Sequence, residues 1–160
     1  MPYSDNYLLL SSAQSVLSTG STASNSPFDL GVQYSGQYGQ SPYATTNLNS
    51  ISGGAQIGQS VKKFFFQVKI NSGASGGTAG VGLTVALQSG ATSGAAGWVS
   101  VFSTAKILKG TTPYLTTAGM TICKVPLFEE ASMNRWIKGL YTIGTGVFSK
   151  FKLDAELSTY

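Results

Sequence analysis

VKKFFFQVKI at residues 61–70 and VGLTVALQ at residues 81–88 decide the fold of this chain. From residue 64 to residue 70 and from residue 81 to residue 87, every second residue is Phe, Val, Ile or Leu. Side chains along a β-strand point to opposite faces in turn, so each segment predicts a strand with one apolar face. The Gly/Ser-rich residues 71–80 join the two segments. We therefore expect an antiparallel hairpin with an exposed, mobile connection.

The same alternation recurs along the rest of the chain. Shorter strands are predicted near 27–32, 98–102 and 121–127, and Pro126 favours a strand end or a sheet edge for the last of these. A closing hairpin is predicted from 136–141 and 150–157, which are joined by the turn Gly144-Thr145-Gly146. No segment has a convincing apolar period of 3.6. The sequence thus predicts an all-β protein with seven or eight short strands, an antiparallel β-sandwich of jelly-roll type or a related barrel.

Two polar regions lie outside this pattern. Residues 1–26 are rich in Ser, Thr, Asn and Ala and predict an extended N-terminal arm, and residues 27–160 predict a single domain. Residues 33–59 form a Tyr/Gly/Gln-rich loop, either lying on the sandwich or reaching out to a partner. Tyrosine on a polar backbone gives a large contact area at low entropic cost. The partner-binding candidates are Tyr3, Tyr7, Leu8, Leu9, Leu10, Tyr34, Tyr38 and Tyr43.

Charge and cysteine content limit the classes of partner and the covalent links that the sequence predicts. Only 10% of the 160 residues are charged, and ten basic residues against six acidic ones give a net charge of +4. The basic residues, nine Lys and one Arg, are scattered along the sequence. Specific nucleic-acid binding is therefore not expected, because the forked guanidinium of Arg is the usual reader of bases. A single cysteine, Cys123, excludes an internal disulfide and predicts a small buried apolar residue. The apolar segment 8–10 is too short for a membrane span or a signal sequence.

Few side chains of this sequence are suited to catalysis or metal binding. The chain has no histidine, which removes the commonest general base and metal ligand, so we expect no enzyme, metal, cofactor or small-molecule substrate. Asp154 and Glu156 share one face of a predicted strand and could form a glycosidase pair. Lys150 and Lys152 lie beside them and favour a solvated face with surface salt bridges instead.

Three parts of the sequence together resemble the jelly-roll capsid cement (decoration) proteins of short-tailed bacteriophages. They are SAQSV at 12–16 with FDLG at 28–31; Phe65, Gln67 and Val68 with GLTVALQ at 82–88; and NRWI at 134–137 with LYTIGTG at 140–146, Phe148 and the strand 151–157. The resemblance leaves out 33–59 and 90–119.

The resemblance implies a structural virion protein, made in the bacterial host cytoplasm and located on the outer capsid surface. Such a protein binds neighbouring major capsid protein subunits and stabilises the shell against internal pressure, often as a homodimer or another homo-oligomer. An alternative is a carbohydrate-binding jelly-roll module for attachment to the host surface, in which Trp98, Trp136 or the loop tyrosines would stack on sugars.

Overall fold

The structure, a computed structural model, describes residues 9–29, 65–94, 96–110, 113–126 and 136–158. These residues contain ten strands and one short 3-10 helix, Pro113–Thr116, but no α-helix. In chain order the strands are β1 Leu9–Ser15, β2 Gly20–Ala23, β3 Phe28–Asp29, β4 Phe65–Ser75, β5 Gly82–Gly90, β6 Val99–Ser103, β7 Ile107–Leu108, β8 Thr121–Pro126, β9 Trp136–Ile143 and β10 Lys150–Ser158.

The strands form two antiparallel sheets. Sheet A has the order β1-β10-β4-β8, and sheet B has the order β2-β9-β5-β6, with β3 also paired to β9 and β7 also paired to β5. The sheets pack face to face around one apolar core, so the predicted all-β antiparallel sandwich is confirmed. Among the described strands, β8 lies at an edge of sheet A, where the missing N–H of Pro126 is tolerated.

The core lies where the alternation of the sequence places it. In β4 the side chains of Phe66, Val68 and Ile70 are buried, and Leu83, Val85 and Leu87 of β5 face them from the other sheet. Strands β9 and β10 bury every second residue in the same way, including Ile137, Tyr141 and Ile143 in β9 and Phe151, Leu153, Ala155 and Leu157 in β10. Burying a side chain of this size stabilises the fold by about 1.5–3 kcal/mol.

Both predicted hairpins are wrong in their pairing. Strand β4 pairs with β10 and β8 in sheet A, whereas β5 pairs with β9, β6 and β7 in sheet B. Likewise β9 belongs to sheet B and β10 to sheet A. The physical reason is that a period of two fixes which face is apolar but not which strand lies alongside. Two consecutive strands bury their apolar faces equally well side by side or across the core.

The connection between β4 and β5 is shorter and more closely packed than its composition predicts. Residues 71–75 extend β4, and 76–80 are exposed as predicted. Gly76 and Gly77 have φ angles of +68° and +70°, in the region that glycine adopts most readily. A Cβ at residue 76 would overlap the hydroxyl of Ser149, and one at residue 77 would lie 2.6 Å from the Val147 carbonyl oxygen. Glycine therefore allows this loop to pack directly on the loop between β9 and β10.

Residues 9–26 differ from the arm that the sequence predicts. Strand β1 pairs with β10 through two register irregularities, and β2 pairs with β9. Leu10 and Val16 are core residues. The apolar spacing was too sparse to indicate two strands, yet each finds a partner at a sheet edge. The division of the chain into 1–26, 27–160 and a loop at 33–59 stays a prediction, since residues 1–8 and 30–64 lie outside the described residues.

The sandwich has two ends, which we name for use below. At the crossing end the chain passes between sheets through residues 16–19, 76–81 and 144–149. At the junction end lie Leu9, Asp29, Phe65, Pro126, Trp136 and Ser158, as the strand registers show.

Candidate partner-binding surfaces

The structure describes two of the eight predicted partner-binding residues. Leu9 starts β1, opposite Glu156, and is half-buried. Leu10 is 1% exposed and packs in the core, so its side chain stabilises the sandwich and does not reach the surface. The other six lie outside the described residues: Tyr3, Tyr7, Leu8, Tyr34, Tyr38 and Tyr43.

The junction end is where these segments join the body. The described chain begins at Leu9, stops at Asp29 and resumes at Phe65, and all three positions lie at this end. The described chain also stops at Pro126 and resumes at Trp136, and both residues lie at this end. All six undescribed candidates therefore belong to segments that attach to one end of the sandwich.

Two tryptophans lie next to Gly90 on sheet B at the same end. Trp136 lies opposite Gly90 in the register of β9 and β5, and the indole of Trp98 packs against Gly90. A Cβ at residue 90 would lie 2.9 Å from Cδ2 of Trp98, so the absence of a side chain there makes room for the ring. The Lys138 Nζ lies 4.2 Å from the centre of the Trp98 ring, a cation–π contact. Partial burial lowers the pKa of Lys138.

Sequence reasoning identified both tryptophans as possible stacking residues but missed Lys138. Its position in an alternating strand indicated only an outward side chain, and nothing in the sequence pairs residue 138 with residue 98. The contact has a chemical consequence, because a sugar stacking on Trp98 would compete with the ammonium group for the same ring.

The outward face of sheet A holds the predicted acid pair. Glu156 accepts a hydrogen bond from Lys69 Nζ at 2.8 Å, in an ion pair across β10 and β4. Asp154 accepts from the Ala13 backbone N–H at 2.6 Å and from Asn71 Nδ2 at 2.9 Å. The carboxylates thus act as links between strands β1, β10 and β4. The salt-bridge partner of Glu156 is Lys69 rather than Lys150 or Lys152. Lys69 lies opposite Asp154 and so is a diagonal cross-strand neighbour of Glu156, whereas Lys152 and Lys150 are four and six residues away along β10.

Two other ionisable groups are withdrawn from solvent. Burial raises the pKa of the Cys123 thiol to about 11, while a backbone hydrogen bond involving Val68 opposes the shift. Cys123 packs against the core as predicted, but its side chain is half-buried rather than buried. Burial also raises the pKa of Tyr141, whose hydroxyl contacts Ser11. A thiol held protonated is a poor nucleophile.

No protein-family model matches the sequence, and no curated protein matches it. Within the described ranges, no three His, Cys, Asp or Glu side chains come together in a way that could hold a metal ion. The part of the chain that the structure describes also contains no helix long and apolar enough to cross a membrane.

Proposed function

We propose that this chain is a structural virion protein that binds the outside of a phage capsid and cements neighbouring major capsid protein subunits. The observation that carries the proposal is the attachment of the Tyr-bearing segments 1–8 and 30–64 to one end of a well-packed sandwich. A partner that binds only the assembled shell stabilises it by mass action, by about 2.7 kcal/mol at a concentration of one hundred times Kd.

The strand order supports a jelly-roll type of sandwich, as the cement family would have. If the eight strands of four or more residues in the described part of the chain are numbered in order, sheet A reads 1-8-3-6 and sheet B reads 2-7-4-5. First then pairs with last, second with seventh, third with sixth and fourth with fifth. A double Greek key wraps a long hairpin in this way.

The surface chemistry also suits repeated contacts on a shell. Only 10% of the residues are charged, so a covered surface would bury few ions. Modest contacts are sufficient when many copies bind around a closed assembly. In this proposal the protein lies on the outer capsid surface after synthesis in the bacterial cytoplasm, acts as a homodimer or another homo-oligomer, and needs no cofactor.

Co-sedimentation with empty capsids of the phage that encodes the chain tests the proposal. The full chain should pellet with the capsids at a fixed copy number, read from the band ratio. A variant that lacks residues 1–8 keeps β1 intact, because the strand begins at Leu9, and should lose most of the binding. A full chain that stays in the supernatant would contradict the proposal, and full binding by the truncated chain would remove the role of Tyr3, Tyr7 and Leu8.

A second candidate is carbohydrate binding at the junction end. It is favoured by the position of Trp136 opposite Gly90, on which Trp98 packs. Titration with a panel of glycans, read from tryptophan fluorescence, should then show a response that Trp98→Ala abolishes. Lys138→Gln should strengthen the response, because it frees the ring from the ammonium group. The absence of any response from the unaltered chain and from Lys138→Gln would exclude the candidate.

A further inference from the structure

The crossing end presents two apolar side chains to solvent. Among the described residues, the exposed large apolar side chains are Leu17 at 37%, Val99 at 56% and Val147 at 57%. Leu17 and Val147 lie on neighbouring loops, because the Phe148 N–H donates to the Leu17 carbonyl at 2.8 Å. Isolated exposed apolar residues are ordinary on protein surfaces. Here two of the three, Leu17 and Val147, lie on neighbouring loops. Each is adjacent in the chain to a core residue, Val16 or Phe148.

These loops are held in place by one another. The hydroxyl of Thr19 donates to the Gly146 carbonyl at 2.7 Å, and the Ser149 N–H donates to the Ser75 carbonyl at 2.8 Å. The Val147 carbonyl also lies against Gly77, as described above. A surface that is already ordered loses little conformational entropy when it binds. The exposed pair is therefore pre-organised for contact.

Three lysines lie at the same end of the sandwich as this pair. Lys109 Nζ donates to the carbonyls of Gly76 and Gly77. The end of the Lys106 side chain lies next to Gly144. Lys150 is exposed and pairs through its backbone with Ser75. No carboxylate of the described residues faces this end. The acid that follows along β10, Asp154, is held by Ala13 and Asn71.

We infer that Leu17, Val147, Lys106, Lys109 and Lys150, which we name the crossing-end patch, bind an acidic protein surface with an apolar centre. Positive charge, with no carboxylate nearby among the residues that the structure describes, favours such a partner through electrostatic complementarity. A second copy of this chain is disfavoured, because symmetric pairing of the patch would place lysines opposite lysines. The inference rests on the proposed function. If the junction end holds one capsid subunit, the opposite end can hold its neighbour, which is what bridging requires.

Val147→Asp tests the apolar centre, and Ser103→Asp is its control because it adds the same carboxylate away from both ends of the sandwich. Val147 is 57% exposed and Ser103 is exposed on β6, so both changes should leave the fold intact. Ser103 lies opposite Ala86, near the middle of β5. With empty capsids as the probe, Val147→Asp should weaken binding about tenfold or more, since it removes an apolar contact and forces a carboxylate into the interface. Ser103→Asp should change the affinity less than about twofold.

Charge reversal tests the basic rim. Lys150→Glu should weaken capsid binding severalfold at low salt and reduce its salt dependence, whereas Lys124→Glu on β8 should do neither. Equal binding by the unaltered chain and Val147→Asp would overturn this inference while leaving the cement function in place. Equal losses for Val147→Asp and Ser103→Asp would overturn it as well. Failure of the unaltered chain to pellet with capsids would overturn both proposals.

Discussion

The phenol oxygen of Tyr141 in sheet B lies 2.8 Å from the hydroxyl oxygen of Ser11 in sheet A, in the buried space between the sheets. The Ser11 hydroxyl donates its proton to Gln14 Oε1 at 2.5 Å, so Tyr141 is the donor to Ser11. Gln14 Nε2 in turn donates to the Ala23 carbonyl at 2.5 Å. One chain of hydrogen bonds thus joins β9, β1 and β2.

Tyr141→Phe should lower the free energy of unfolding by about 1–2 kcal/mol, because it leaves the buried Ser11 hydroxyl without its donor. Urea denaturation measures the change. In a Ser11→Ala background the same substitution should cost about 1 kcal/mol less, since the polar partner is then absent as well. Equal costs in the two backgrounds would show that the hydrogen bond adds no stability.

Alkaline pH should destabilise the protein through Cys123. Burial raises the pKa of this thiol from 9.0 to about 11. The folded state therefore holds the proton more tightly than the unfolded chain, so the stabilisation is fully present below pH 9 and is lost as the pH rises to about 11. The slope for one group is at most about 1.4 kcal/mol per pH unit.

Urea denaturation of the unaltered protein and of Cys123→Ala, at intervals from pH 8 to pH 11, isolates this effect. Tyr141 has a raised pKa too and loses stability in the same direction. The larger cause of its shift, burial, is common to both proteins and cancels in their difference, and the part that the charge of Cys123 causes belongs to the effect of this thiol. The stability advantage of the unaltered protein over Cys123→Ala should fall with pH above 9. A constant difference would contradict the prediction.

Gly76→Ala should destabilise the sandwich by at least about 2 kcal/mol. The φ of +68° is strained for alanine, and the new Cβ would overlap Ser149. Gly80→Ala is the matched control in the same loop, because nothing lies within 4 Å of its Cβ position. That change should be neutral or slightly stabilising. Melting temperatures of the two variants make the comparison, and equal values would contradict the close packing of this loop.

Leu153→Ala and Lys152→Ala test the register of β10. Leu153 is fully buried and its neighbour Lys152 is exposed, so the first change should cost about 2–5 kcal/mol and the second less than about 0.5 kcal/mol. Chemical denaturation measures both. Because a slip of one residue exchanges the two faces of a strand, a reversed order of costs would show a different register.

The buried face of each strand was easier to predict from the sequence than the strand that pairs with it. The alternation in 61–70 and 81–88 identified the buried residues of β4 and β5, since period and polarity are local properties. The sheet to which each strand belongs depends on contacts between residues far apart in the chain, such as Leu9 with Glu156 and Leu83 with Ile143. No local pattern encodes those pairs, which is why both hairpins were predicted with the wrong partners.

The candidate surfaces show the same limit. Trp98 and Trp136 could be singled out by residue type. That both lie next to Gly90 depends on the pairing of β5 with β9 and on the fold of the connection before β6. The sequence did not indicate a binding role for Leu17 and Val147, because each is an isolated apolar residue in a polar loop. They become neighbours only because 16–19 and 144–149 cross between the sheets at the same end.

The pairing of β1 with β10 also determines when this protein can reach its final shape. About 140 residues separate the two strands in the chain, and contacts between such distant residues slow folding. During translation β1 stays without its neighbour until β10 has left the ribosome, and the apolar faces of β4 and β5 are incompletely covered until then. Any binding by the finished surfaces must therefore wait for synthesis of β10, and a nascent chain that stalls earlier is a substrate for chaperones rather than for assembly.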